Sequence, residues 1–204
     1  MDELSYPLLS LSRLRMGTDG QGVTTLVAGA GCPLRCRWCI NARLLREAPA
    51  EEVTAEELVE RLRVDDLYFR ATNGGVCFGG GEALLHAAFL RHFRALCPEA
   101  WRVSAETSLA VPEALLRESL GAVDLYIVDC KDMNADVYRR YTGGDAALMR
   151  RNLRILLDEA GPSRVQVRVP LIPDYNTPAD QAESVRLLRE TGVTKIETFA
   201  YVKR

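Results

Sequence analysis

Three cysteines fall within eight residues in Gly31-Cys32-Pro33-Leu34-Arg35-Cys36-Arg37-Trp38-Cys39, separated first by three residues and then by two. A loop with this spacing can wrap one face of an iron–sulfur cubane and offer a thiolate to three of its irons. The remaining iron is then open to a chelating substrate, whereas electron-transfer clusters are normally closed by four cysteines. Trp38 stands beside the cysteines as an aromatic lid against water. Two other readings of the same residues stand: a structural zinc site and three unrelated core cysteines. Zinc wants a fourth ligand. Cys77, Cys97 or Cys130 would have to supply it, because His86 and His92 share a helix without ligand-like spacing. Small buried hydrophobes are the simpler reading of those three cysteines.

Further polar residues recur where strands end. Gly79-Gly80-Gly81-Glu82, Glu106-Thr107 and Asp129 to Lys131 each follow a β-rich run. The runs are Val23–Ala28, Gly75–Phe78, Trp101–Glu106, Leu125–Asp129, Arg164–Leu171 and Lys195–Val202. Helical patterns alternate with them. Thr54-Ala55-Glu56-Glu57 has the capping-box pattern, with Leu58, Leu62 and Leu67 as its apolar stripe. Glu51 and Glu52 read as part of the same solvated helix start. Leu84–Leu96, Glu113–Leu120, Ala146–Ala160 and Ala179–Glu190 are the later helices. Six such alternations predict an α/β fold with parallel strands and right-handed crossovers. In both an open sheet and a barrel, the strand C-terminal ends carry the site. The marked residues therefore converge on one pocket.

The chain has 204 residues, six cysteines and a net charge of -2. Its length suits one domain with a full core. The charge balance gives no basic field for nucleic acid, and no apolar run approaches a membrane span. The N-terminal residues lack the basic stretch of an export signal, so reduced thiols in a cytoplasm are expected rather than a disulfide framework.

The Cys32, Cys36, Trp38, Cys39 pattern resembles the loop of the radical S-adenosylmethionine superfamily. Within it, the chain is similar to glycyl radical enzyme activases, in the pyruvate formate-lyase activating enzyme-like branch. Gly17-Thr18-Asp19-Gly20-Gln21-Gly22 looks like their glycine-rich segment. Gly80-Gly81-Glu82 looks like their Gly-Gly-Glu motif, and Asp129-Cys130-Lys131-Asp132-Met133 like their Asp-x-Lys-x-Met segment. Tyr141-Thr142-Gly143, Arg168 to Pro173 and Ile196 to Tyr201 follow in the same order. Many sister activases insert a cysteine-rich ferredoxin-like domain after the cluster loop. The 40 residues from Ile40 to Gly79 contain only Cys77, so residues 1–204 read as a single radical SAM domain without that insert.

The resemblance implies a partial (β/α)6 TIM-like barrel, laterally open. It implies a [4Fe–4S] cluster on Cys32, Cys36 and Cys39 and S-adenosyl-L-methionine as cofactor. The activity implied is reductive cleavage of that cofactor and abstraction of a glycine α-hydrogen from a partner enzyme. Trp38, Gly80, Gly81, Glu82, Glu106, Thr107, Asp129, Lys131 and Arg168 become cofactor-binding positions. Gly80 and Gly81 admit a close backbone approach. Glu82 either makes an ionic contact or orients its loop. Lys131 faces the cofactor, with a surface ion pair to Asp129 or Asp132 as the plainer reading. Arg168 needs a carboxylate partner if buried. Glu106, Thr107 and Asp129 match residues that hold a monovalent cation, and Asp19 matches a contact to the partner's glycyl loop. A flavodoxin or ferredoxin donor, anaerobic chemistry and a monomeric state are expected, with neither nucleic acid nor membrane as partner. Departures are Gln21 and Ala83 for proline, Ile40 for histidine, Glu106 for aspartate, and Val202 where a cofactor-contacting histidine is usual. The end at Arg204 reads as a wide pocket mouth. The alternatives are a radical enzyme acting on a peptide or small molecule, and a non-catalytic iron–sulfur or zinc module.

Overall fold

A computed structural model describes residues 4–201. Val202 therefore lies outside the described residues. One eight-stranded sheet runs in the order β3-β1-β2-β4-β5-β6-β7-β8. Six of these strands are parallel: β2 (Val23–Gly29), β4 (Gly75–Gly80), β5 (Arg102–Thr107), β6 (Leu125–Asp129), β7 (Val165–Leu171) and β8 (Lys195–Ala200). They match the six runs expected from sequence to within one or two residues wherever the residues are described. The sheet is mostly parallel and open, with β3 and β8 as its edges.

Two strands are additions to the expected pattern. β1 (Ser5–Met16) pairs antiparallel with β2, and β3 (Glu51–Thr54) pairs antiparallel with β1. Glu51 and Glu52 are thus strand residues and not a helix start. Their exposed carboxylates on a four-residue edge discourage pairing with another chain. The helix begins one residue after β3. Thr54 caps α2 (Ala55–Leu62) in a reciprocal capping box with Glu57, as its sequence predicts.

The expected stripe does not continue to Leu67. A 3-10 turn at Arg63–Asp65 breaks the period, and in α3 (Asp66–Thr72) Phe69 is buried while Leu67 is exposed. The other helices are α1 (Ala42–Glu47), α4 (Ala87–Leu96), α5 (Glu113–Ser119), α6 (Ala135–Thr142), α7 (Ala146–Ala160) and α8 (Pro178–Glu190). The start predicted at Leu84 is a 3-10 turn, Ala83–His86.

Leu58, Leu62, Phe89, Phe93, Leu116, Leu153 and Leu156 bring their apolar stripes into one core with the strand residues Val76, Phe78, Val103, Val128 and Val167. Each fully buried Leu or Phe contributes about 1.5–3 kcal/mol. Tyr6 on β1 packs on Phe78 and Phe89 with ring centroids 5.5 and 5.0 Å away, so the added strand is bound into the core. This rigid sheet brings the C-terminal ends of β2 and β4 to β8 to one rim.

Candidate active site

The three-cysteine loop leaves β2 through Gly31, whose φ of +86° makes the turn that a side chain would disfavour. Leu34 is its buried anchor. The N–H groups of Arg35 and Arg37 donate to the carbonyls of Thr142 and Tyr141 at 2.8 and 3.0 Å, so the last turn of α6 supports the loop. This gives the Tyr141-Thr142-Gly143 motif a structural job. Thr142 Oγ1 accepts from Gly144 N–H at 2.9 Å, and Gly143 caps the helix with φ +73°.

The Gly-Gly-Glu motif ends β4 against this loop. Gly81 N–H donates to Gly29 O at 3.0 Å and Glu82 N–H to Gly31 O at 2.8 Å. A Cβ on Gly81 would stand 2.1 Å from Gly31 O, and one on Gly80 would stand 2.7 Å from Ala28 Cβ. Both glycines are thus required by backbone packing in the protein itself. Asn41 Nδ2 donates to Gly80 O at 2.8 Å and ties the loop to the motif from its other side. Glu82 is 2% exposed. Its Oε2 accepts from Ser108 N–H at 2.8 Å and Ser108 Oγ at 2.6 Å, and its Oε1 from Leu84 N–H at 3.2 Å. Of the two roles expected for Glu82, the contacts are those of a brace between β4 and β5. Burial pushes its carboxyl above the ordinary range, while Ser108, Thr107 and Leu84 pull back.

The ends of β5, β6 and β7 add a charged floor. Asp129 and Arg168 are register partners across β6 and β7. Arg168 Nε donates to Asp129 Oδ1 and its Nη2 to Glu106 Oε1, both at 2.8 Å. These are the carboxylate partners that Arg168 needs. Lys131 Nζ donates to Asp129 Oδ2 at 3.0 Å and to the Tyr201 hydroxyl at 3.5 Å. Lys131 is 7% exposed, so its pair with Asp129 is buried and not a surface contact. Asp132 is engaged elsewhere, by Asn134, Asn176 and Ser184. Burial would raise Asp129, yet Lys131 and Arg168 outweigh it and hold the carboxyl below its ordinary value. Burial raises Glu106 and Arg168 offsets only part of that. Burial would lower Lys131, but Asp129 keeps it firmly protonated. Two cations thus neutralise two carboxylates, the condition under which buried charge is tolerated.

These groups face one solvent-open cavity of about 110 Å³. Its walls include Cys32, Cys36, Cys39, Gly80, Gly81, Glu82, Glu106, Thr107, Asp129 and Lys131, ten of the thirteen positions singled out from sequence. Arg168 lies behind the floor. Trp38 is 38% exposed at the cysteine loop. Asp19 is only 1% exposed, in the β1–β2 turn, with both its oxygens held by Arg15. Arg168 reaches that turn through Thr18 O at 3.4 Å. Leu34, Ile40, Asn41, Ser108 and Tyr201 also line the cavity, and none of them was marked as a site residue from sequence. Tyr201 follows the last strand, and Ser108 follows the Glu-Thr pair, but their partners lie 70 and 26 residues away.

Cys77, Cys97 and Cys130 are buried and none lines this cavity. Among the described residues no group of three or more His, Cys, Asp or Glu converges to hold a single metal ion. A zinc ion needs its donors about 2.0–2.3 Å from one point. A cubane carries its irons at separate corners, so its thiolates stand further apart. The three loop cysteines share one cavity wall and no fourth cysteine lines it, the donor set of a cluster with one open iron. Burial pushes the Cys36 thiol up to about 11 and raises Cys32 as well, with Lys131 pulling both back. Ligation therefore has to release protons.

The family model of the radical SAM superfamily matches residues 26–188. The chain belongs to the radical SAM superfamily. It is 32% identical over 188 residues to the pyruvate formate-lyase-activating enzyme of Clostridium pasteurianum, covering 90% of this chain and 77% of that one. It is 30% identical over 189 residues to the pyruvate formate-lyase 1-activating enzyme of Escherichia coli (strain K12), covering 90% and 76%. Among solved structures, Streptococcus suis SuiB bound to S-adenosylmethionine has the same fold, with a TM-score of 0.66 at 12% identity. That match covers 85% of this chain and 39% of SuiB, so the chain spans about two fifths of that protein's length. This radical SAM protein is thus an enzyme of the kind to which glycyl radical enzyme activases belong. The family implies a [4Fe–4S] cluster and S-adenosylmethionine, and the zinc-module reading falls away.

Proposed function

We propose that this radical SAM enzyme activates a glycyl radical enzyme by removing a hydrogen atom from a glycine α-carbon of that partner. One observation carries the reading: identity of 30% or more to two pyruvate formate-lyase activators extends over nine tenths of the chain. The convergence of ten expected residues on one cavity supports it. One continuous eight-stranded sheet runs through the described residues, which supports a single domain without a ferredoxin-like insert.

When bound, the cluster and S-adenosylmethionine together supply an electron and a carbon-centred radical able to take that hydrogen. Cys32, Cys36 and Cys39 hold the cluster, and Trp38 covers it from water. Gly80 and Gly81 present backbone to the methionine amino group, while Glu82 keeps their loop rigid through Ser108. Lys131, aimed into the cavity beside Tyr201, offers its ammonium to the cofactor carboxylate. Arg168 fixes Asp129 and Glu106 in place. With Thr107 they offer hard oxygen donors to a monovalent cation, which would share both carboxylates with the guanidinium. Asp19, in the turn tied to Arg168, is assigned to the partner's glycyl loop. Abstraction requires the target carbon to approach within a few ångströms in near-attack geometry, so the partner must extend that loop into the cavity. The enzyme works as a monomer in an anaerobic cytoplasm, with a flavodoxin or ferredoxin as donor.

The test mixes the reconstituted, reduced enzyme and S-adenosylmethionine with a candidate glycyl radical enzyme from its gene neighbourhood. An electron paramagnetic resonance doublet is expected that collapses when the loop glycine is deuterated at its α-carbon. Cofactor cleavage that instead yields a modified peptide or small molecule would overturn the assignment.

A further inference from the structure

A second cavity, of about 350 Å³, opens at the end of the sheet where the parallel strands begin. Arg102 is the first residue of β5, Arg164 directly precedes β7, and Lys195 is the first residue of β8. All three line the cavity, in a chain whose net charge is -2. None of them is paired with a carboxylate among the described residues. Arg164 donates to Val123 O, and Lys195 Nζ to Ser163 O at 2.9 Å, both neutral acceptors. Arg102 Nε is buried and has no hydrogen-bond partner among the described residues. A guanidinium nitrogen taken out of water without an acceptor is unfavourable, so this atom calls for one. Asp124, the carboxylate on the wall, is engaged elsewhere. Its Oδ2 accepts from Val103 N–H at 2.8 Å and lies 3.8 Å from Arg94 Nη1. Glu197 accepts from Gln166 Nε2 at 3.1 Å.

We propose that this cavity binds phosphate, free or as the ester of a small molecule. Three cations with neutral partners supply the charge that a phosphate dianion requires, and the fork of an arginine matches its oxygens. Arg102 Nε gains the acceptor that the protein does not provide. The volume is at the small end of the range for ligand pockets and suits a phosphate with a few attached carbons. This is not the cofactor cavity. Arg102 begins the strand whose other end holds Glu106 and Thr107, so the two cavities lie at opposite ends of the sheet. The β1–β2 turn contributes Gly20 and Gln21 to the new cavity. Gly20 lies against Ser104, where an added Cβ would stand 3.0 Å from Oγ. In the same turn, Asp19 is held by Arg15 and Thr18 O accepts from Arg168. A bound phosphate therefore restrains the turn that also carries Asp19.

The experiment uses the full chain with its cluster reconstituted, and inorganic phosphate, pyrophosphate and ribose 5-phosphate as the added ligands. Calorimetry is expected to show one saturable site whose affinity falls as salt rises. Tighter binding of ribose 5-phosphate than of inorganic phosphate assigns the site to an ester; the opposite order assigns it to free phosphate. Arg102→Gln and Lys195→Gln are each expected to weaken binding about tenfold. In the ligand-free protein, Arg102→Gln should not lower the unfolding midpoint, because Nε has no partner to lose. Ligand should raise the midpoint of the parent and not that of the double variant. It should also slow hydrogen exchange at residues 17–22. Absence of saturable binding by all three ligands overturns the proposal. So does equal affinity in parent and double variant. Polyglutamate that binds where the phosphates do not would give the cavity to an acidic segment and also overturn it. Lys195→Gln, at an exposed residue, carries the comparison if Arg102→Gln fails to fold. Cys32→Ala should bind phosphate as the parent does, so the result stands apart from the radical reading.

Discussion

The Lys131 ammonium stands 3.5 Å from the Tyr201 hydroxyl and 5.9 Å from the centroid of its ring. Lys131 also pairs with Asp129, so Tyr201 completes the side of the cation that faces the cavity. Tyr201→Ala is expected to weaken S-adenosylmethionine binding about five- to twentyfold, roughly 1–2 kcal/mol, with little change in cluster content. Calorimetry on the reconstituted enzyme checks this. Equal affinity in parent and variant would leave Tyr201 outside the cofactor site.

The three loop cysteines should behave alike. Cys32→Ala, Cys36→Ala and Cys39→Ala are each expected to lose iron at cluster stoichiometry and with it all cofactor cleavage. Cys77→Ala should keep the cluster, because its thiol is buried in β4 away from the cavity. Iron and sulfide analysis with the visible absorption spectrum decides the matter. Cluster retention in Cys32→Ala would end the ligand assignment.

A side chain at Gly81 should damage the fold before it affects any ligand. The added Cβ would meet Gly31 O at 2.1 Å, closer than any relaxed contact. Gly81→Ala is expected to cost about 2–3 kcal/mol in the cluster-free protein, in the range of a buried strained site. Denaturant unfolding measures it. An unchanged midpoint would mean that the loop yields easily and that the glycine serves the cofactor alone.

Glu82 gives a pH signature. Burial raises its carboxyl in the folded state, so the folded protein binds its proton more tightly than the unfolded chain does. Its contribution to stability is therefore fullest below the ordinary glutamate value of about 4.3 and declines as pH rises towards the raised value. The stability of the parent minus that of Glu82→Gln should fall as pH increases from about 4 to 7. A flat difference would show that the hydrogen bonds from Ser108 and Leu84 fully offset the burial.

Glu106 and Asp129 share one guanidinium, which bears on the cation. If a monovalent ion binds there with Thr107, adding potassium to ion-depleted buffer should tighten S-adenosylmethionine binding about three- to tenfold, roughly 0.7–1.4 kcal/mol. Glu106→Gln should lose that response. Titration calorimetry with and without potassium tests it, and an indifferent parent enzyme would leave charge neutralisation to Arg168 alone.

Much of this was legible in the residue order because periodicity and caps are local. The parallel strands are dense in Val, Ile and Ala, and the Thr54 capping box needs only four residues. β1 was hidden for physical reasons. Pro7 argues against a strand, and register shifts at Leu8–Ser10 and Ser12–Arg15 break its two-residue alternation. α1 buries no residue and so carries no apolar stripe. α6 did carry a signal, in Asn134 before it and Gly143 after it. At the site, cysteine spacing and strand-end motifs were enough to collect the cavity walls. What they could not supply was pairing across long separations, Glu82 with Ser108 and Lys131 with Tyr201, nor the burial of Asp19 beside its near neighbour Arg15.

The sheet also never closes on itself. Its last strand, β8, has β7 as its one strand partner among the described residues, which makes it an edge there. Such a margin is a template for strands from other molecules. Lys195 and Glu197 on β8 keep it hydrated and discourage stacking, whereas Phe199, 37% exposed, works the other way. Colloidal behaviour should therefore follow ionic strength: concentrated salt, by muting those two charges, turns the open margin into the first point of self-association.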